Sequence, residues 1–279
     1  MGHPIVSEGR DAERDLAEYK ELAERRRVQA YEEFFSPTTD PCGRWLLDRI
    51  ARPGDGLAID VGCGPGTLLT ELERRGWQAL GVDLTETMLR RARVRSSGAN
   101  LILADAAALP LHTGVADLLV MAFVAPHLAD LDRALQEARR VVRPGGHLAC
   151  ATWRESRRSP FTGLAFDVLR RCCRLSAAAL ALLDELDDRA RRLPAAVANA
   201  GLAPRMVRHM EGERRFGGAD AWWQGLLAAS VGLTGMLQPL SPRERRRVRA
   251  EFCAAAEAFR TDEGLRVPVA VTCLIAERT

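Results

Sequence analysis

The 279-residue sequence lacks any apolar run approaching the roughly 20 residues that a membrane span needs, so no spanning helix is expected. Residues 1–10 have no continuous apolar stretch after a basic start and do not read as a secretory signal; a cytoplasmic location is expected. Cysteine is scattered: Cys42, Cys63, Cys150, Cys172, Cys173, Cys253 and Cys273 form no C-x-x-C pair and have no histidine at zinc-ligand spacing. They read as small core residues in a reducing compartment. Lysine is nearly missing, with Lys20 alone among 40 basic residues, and the formal net charge is only +3. So weak a field gives no reason to expect a nucleic-acid partner. Internal repeats and low-complexity tracts are absent as well.

What the chain does have is apolar material, 47% of its residues, spread along its whole length. That is enough for a full core, and the length fits one large α/β unit with a cap better than two independent domains. Residues 11–33 carry Leu16, Tyr19, Leu22 and Ala23 at helical spacing. The run Ser36-Pro37-Thr38-Thr39-Asp40-Pro41 is expected to break that helix. Trp45, Leu46 and Ile50 mark a second one, which Arg52-Pro53-Gly54-Asp55-Gly56 ends.

From residue 57 to 152 short apolar runs at 57–61, 79–82, 101–103, 117–121 and 147–151 alternate with helical patterns near 67–75, 85–95 and 131–142. Strands apolar on both faces, separated by helices, imply a doubly wound, mostly parallel sheet covered on either side. After Trp153 the pattern is helical to about residue 200. A strand near 205–215 and a last one at 267–275 are then split by a helical stretch over 220–260, in which Ser241-Pro242-Arg243-Glu244 signals a helix start. The expected organisation is an N-terminal helical segment or lid (1–51), a cofactor-binding core (52–153) and a C-terminal part of the same domain (154–279). This last part carries a helical substrate cap over about 218–266 and the last two of seven strands.

The chemistry is concentrated at three strand ends. The first ends in Asp60-Val61-Gly62-Cys63-Gly64-Pro65-Gly66-Thr67, where glycines permit a tight turn and close approach of a ligand. The spacing departs from G-x-G-x-x-G, and Pro65 removes an N–H donor that a pyrophosphate would want, so a ligand without phosphates suits the loop better. The second ends in Asp83, about 20 residues beyond the glycines, where a carboxylate can grip a ribose diol. The third ends in Asp105, which can accept from an adenine amine. In an open sheet such ends converge on one crevice beside the switch point of the strand order.

Asp60-x-Gly62-x-Gly64-x-Gly66, Val82-Asp83, Ala104-Asp105-Ala106 and Arg143-Pro144-Gly145-Gly146 resemble the ordered motifs of the class I S-adenosylmethionine-dependent methyltransferases. The likeness runs from about residue 57 to 153. Its segment Phe123-Val124-Ala125-Pro126-His127-Leu128 is similar to that of the ubiquinone and menaquinone biosynthesis enzymes, although Pro126 replaces the first of two consecutive histidines often found there. The resemblance implies a Rossmann-like fold with S-adenosyl-L-methionine as cofactor and S-adenosyl-L-homocysteine as product. By it, Gly62 and Gly64 lie against the methionine part, Asp83 holds the ribose, Asp105 and Ala106 frame the adenine and Met88 packs on the ring. Tyr31 falls where an N-terminal aromatic covers the cofactor. Asp60, Cys63, Leu84, Ala122 and Phe123 complete the implied cofactor set.

A sulfonium methyl is already a good electrophile, so the protein has to hold a nucleophile in line and exclude water, and the scheme requires no metal. His127 is the candidate base for a phenol or enol, with a wall or capping histidine as its other reading. Trp153 and Phe161 are candidate substrate contacts or core residues. Trp222 and Trp223, about 100° apart on a helix, are expected to divide, one to the core and one to the substrate pocket. The run Arg243, Arg245, Arg246, Arg247, Arg249 reads as a solvated face. The expected reaction is methyl transfer to an O, N or C atom of a small natural-product or quinone-like acceptor, with a homodimer as the other partner considered and no nucleic acid or membrane. Two readings stay open beside it: a protein that binds the cofactor without methyl transfer, for cyclisation or binding, and an NAD(P)-dependent oxidoreductase.

Overall fold

The computed structural model describes residues 8–51 and 56–279, with side chains from residue 26 onward. The side chains of Leu16, Tyr19, Leu22 and Ala23 and the turn expected at residues 52–55 therefore lie outside what is described, whereas the helix expected over 11–33 falls within the first helix of the chain. The chain begins with one long helix, α1 (Glu8–Leu47). Five strands with three helices between them follow: β1 (Leu57–Val61), α2 (Thr67–Arg74), β2 (Gln78–Asp83), α3 (Glu86–Arg95), β3 (Asn100–Leu103), β4 (Ala116–Ala122), a 3₁₀ turn (Ala125–His127), α4 (Leu131–Val141) and β5 (Val142–Trp153). The rest comprises α5 (Pro160–Cys172), α6 (Ala177–Asn199), β6 (Ala203–Phe216), α7 (Ala219–Ala229), α8 (Val231–Leu237), α9 (Pro242–Ala256), the two-residue β7 (Arg260–Thr261) and β8 (Gly264–Glu277).

The strands form one sheet in the order β3-β2-β1-β4-β5-β8-β6, with β7 paired to β8. The first five are parallel, and β8 runs antiparallel to both β5 and β6. The order reverses between β1 and β4, the place where a doubly wound sheet opens a crevice at its carboxyl edge. Successive residues of each strand feed opposite layers, as the two-residue pleat requires. Leu118 and Val120 join one apolar cluster with α1, α2, α5, α7 and α9, while Leu119 and Met121 join another with α4 and α6.

Two expectations are corrected here. The prolines do not break the N-terminal helix: α1 runs through Pro37 and Pro41. Both are exposed and lie four residues apart on one side, while Phe34, Phe35, Cys42 and Leu46 bury the other. The carbonyls that proline leaves unpaired therefore face water, and packing of the apolar side holds the helix. The helical stretch between the last two strands divides into three helices, α7 to α9, followed by the small strand β7 that the sequence did not signal. The start of α9, at the helix start expected from Ser241-Pro242-Arg243-Glu244, is closed by reciprocal bonds between Ser241 and Glu244 that form a capping box.

Candidate active site

The end of β1 enters a turn that only glycine permits. Gly62 has φ +72°, and a Cβ there would stand 2.5 Å from Val124 Cγ2 of the segment after β4. The Gly62 and Cys63 amides both donate to the Val82 carbonyl, at 2.7 and 3.0 Å, tying the turn to β2. Gly64, at φ +51°, has nothing within 4 Å of its would-be Cβ. One glycine is thus needed for packing, and the other borders open space.

Asp83 ends β2 and is only 9% exposed. Its Oδ2 accepts from the Gly64 N–H at 2.8 Å and its Oδ1 from the Thr85 N–H at 2.8 Å. These bonds fix the carboxylate between the glycine turn and the start of α3, leaving each oxygen a further lone pair. Asp60, 2% exposed, lies within its field. Burial first, and the Asp83 charge second, push the Asp60 pKa up to about 7. Neither acid forms an ion pair among the described residues. Burial, reinforced by the same two acids, raises the Cys63 thiol above its ordinary value. Tyr31 of α1 lies within the field of these acids: burial and then the charges of Asp83, Asp40 and Asp60 push its phenol up to about 12. Its ring packs 5.2 Å from that of Phe35.

The neighbouring strand ends are apolar and open. Leu84, just past β2, is 71% exposed, and Leu103, the last residue of β3, is 56% exposed. Asp105 is exposed beyond them, with Oδ1 accepting from the Ala107 N–H at 2.9 Å, and Ala106 is buried beside it. Met88 is half-buried on α3. Leu103 was not picked out from the sequence; the only signal for it was an apolar residue at the carboxyl end of a strand.

Ala122 closes β4 and Phe123 follows it. Phe123 adopts φ +60°, the only positive φ on a residue other than glycine among the described residues, a strained state of the kind that collects at ligand sites. Its ring meets Trp153, at the end of β5, at 4.5 Å. His127, in the turn beyond, reaches the surface but is surrounded by enough protein to limit its hydration. That desolvation lowers its pKa below the usual histidine value, against the raising effect of Asp83.

The structure sets Phe161, Trp222 and Trp223 inside the core. Phe161 stacks on Phe34 at 5.0 Å, and the Trp222 indole N–H donates to the Phe161 carbonyl at 3.2 Å. The expected division of the two tryptophans is corrected: both are buried, because α7 is covered on one side by α1 and on another by α9, where Phe252 meets both rings.

A parallel five-stranded core extended by one antiparallel strand and an edge strand beyond it, a glycine turn after the first strand and an acid closing the second define a Rossmann-like methyltransferase fold. Residues 59–150 match the family model described as "Methyltransferase domain". The chain is 39% identical over 94 residues to malonyl-[acyl-carrier protein] O-methyltransferase of Salmonella typhimurium, a match covering 34% of this chain and 38% of that protein. Its fold is similar to that of a putative methyltransferase of Bacillus halodurans, with a TM-score of 0.57 at 16% identity, over 85% of this chain and 98% of that one. It is also similar to geranyl diphosphate C-methyltransferase of Streptomyces coelicolor, solved with S-adenosyl-L-homocysteine, with a TM-score of 0.51 at 16% identity over 86% and 79% of the two chains. The curated relative is thus matched over well under half its length. Residues 59–150 are a class I S-adenosylmethionine-dependent methyltransferase domain, and S-adenosyl-L-methionine is the cofactor of that class.

The residues present fit such a group. A buried acidic pair without a cation of its own suits a ligand that carries positive charge. Exposed Leu84 and Leu103 offer apolar surface to a flat base, and the open side of Gly64 leaves room for close approach.

Proposed function

We propose that the chain transfers the methyl of S-adenosyl-L-methionine to an O, N or C atom of a small-molecule acceptor. The observation that carries this reading is the meeting of Asp60, Gly64 and Asp83 at the carboxyl ends of β1 and β2, with neither acid ion-paired among the described residues. In it, Asp83 accepts from the ribose hydroxyls with the lone pairs its backbone bonds leave free. Asp105 and Ala106 frame the adenine, Leu84, Leu103 and Met88 pack on its faces, and Gly62, Cys63 and Gly64 border the methionine part. Ala122 and Phe123 form the floor towards the acceptor, and Tyr31 covers the opening from α1. When bound, the cofactor supplies an electrophilic methyl for in-line displacement.

The protein's own work is then to orient the acceptor and keep water out. The N-terminal helix and residues 154–266 enclose that space in this reading, with Trp153 at its inner wall. His127, held largely neutral at pH 7 by its lowered pKa, takes the proton of an acidic acceptor hydroxyl. If so, His127→Ala lowers turnover about 10²-fold or more, with the loss partly recovered at high pH where the acceptor ionises by itself. Unchanged turnover would leave positioning alone as the mechanism. Calorimetric titration with S-adenosylhomocysteine tests the reading as a whole: micromolar binding is expected, and no binding at high micromolar concentration overturns it.

A further inference from the structure

Arg214 lies on β6, opposite Val267 of β8, on the strand face it shares with Met210 and Phe216. The charges that flank it belong to the other face and are paired there: Arg215 lies 3.7 Å from Glu213 and 3.3 Å from Glu263, and Arg266 contacts both acids. Asp220, a little further along, is held by Arg249 at 2.8 Å. Arg214 has no ion pair and no hydrogen bond among the described residues. Its neighbours are rings: the guanidinium carbon is 5.7 Å from the centre of Phe161 and 5.9 Å from that of Phe216. Half-buried with no acid beside it, the group has its pKa lowered by desolvation alone. An arginine still keeps its charge, and five N–H donors facing aromatic surface are left without acceptors from the protein.

The position of this cation is as informative as its lack of a partner. Phe161 meets Trp153 at 5.6 Å, and Trp153 meets Phe123, the left-handed residue at the crevice, at 4.5 Å. Three successive ring contacts therefore lead from the rim of the crevice to Arg214. A small molecule lying along Trp153 and Phe216, both partly open, would bring its far end to the guanidinium.

We propose that Arg214 is the specificity residue of the acceptor site, selecting a small molecule that carries a carboxylate or phosphate beside an apolar body. This rests on the methyltransferase reading of the site. The planar guanidinium can bond such an anion through two parallel N–H groups while its faces stay on the rings. The acceptor would then complete a pairing that the protein leaves open, and a neutral analogue would leave the donors unsatisfied.

The test uses benzoate, phenyl phosphate and the uncharged methyl benzoate as probes, titrated into the full chain with and without saturating S-adenosylhomocysteine. At least one anion is expected to bind roughly tenfold or more tightly than the ester. The one that does so tells carboxylate from phosphate. Arg214→Gln should erase that preference while leaving the ester and S-adenosylhomocysteine unaffected, and Arg214→Lys should restore part of it. An absence of anion preference in the wild type, or its survival in Arg214→Gln, overturns the proposal. Failure of S-adenosylhomocysteine to bind in the same series instead overturns the methyltransferase reading, so the two failures are told apart.

Discussion

At the scale of single residues, the site turns on two acids with different environments. Asp83 is fixed by two backbone amides, whereas Asp60 accepts no side-chain or backbone hydrogen bond among the described residues and holds its proton to about pH 7. If Asp83 also grips a ribose, Asp83→Ala removes charged hydrogen bonds and weakens S-adenosylhomocysteine by about 1.5–3 kcal/mol. Calorimetry reads that loss, and an unchanged affinity would remove Asp83 from the ligand site. The raised pKa of Asp60 has a sign that can be checked on the free protein. Between the ordinary carboxyl value near 4 and about 7 the folded chain binds the proton that the unfolded chain has released, so this residue's contribution to stability falls as pH rises through that window and levels off above it. Asp60→Asn should flatten the decline of Tm across the window and stabilise the free protein at pH 8. Parallel Tm curves for the two proteins would show that Asp60 is ionised throughout. The acids and glycines were legible because their chemistry is tied to strand ends. The lack of an ion-pair partner for Asp60 and Asp83 among the described residues was not, since it depends on which distant residues stay away, and the same holds for Arg214.

At the scale of elements, the strands were legible because a parallel strand buried on both faces reads as an unbroken apolar run, as at 57–61 and 117–121. β7, with two residues, has no period to read. α1 was misjudged at Pro37 and Pro41 because the local cost of proline says nothing about the packing opposite. That packing centres on Phe34, which stacks on Phe161 and Phe216 and lies so close to α7 that a Cβ on Gly225 would stand 2.5 Å from its ring. Phe34→Ala should cost about 3–5 kcal/mol, measured by urea unfolding. Tyr31 lies about one turn earlier on the same helix, so if α1 covers the ligand, S-adenosylhomocysteine should weaken as well. A loss of stability with unaltered affinity would confine α1 to a structural role.

At the scale of the whole molecule, the two apolar layers share one sheet, and residues of β4, β5 and β8 alternate between them. Neither layer can lose its strands without exposing the other, which argues for a single unfolding transition. The tryptophans make this testable: Trp45, Trp77, Trp153, Trp222 and Trp223 all pack in or against the layer that contains α1 and α7. The far-UV signal, by contrast, also includes α4 and α6 on the opposite side. Fluorescence and circular dichroism should therefore give the same Tm. Ligand bound at the carboxyl ends of the first strands should move both together, since those strands belong to the shared sheet. At S-adenosylhomocysteine a hundredfold above its Kd, binding adds about 2.7 kcal/mol, which for a chain of this size raises Tm by ~5 °C. A shift confined to one signal, or two separated transitions, would mean that the layers fold as independent units and that the crevice draws its stability from only one of them.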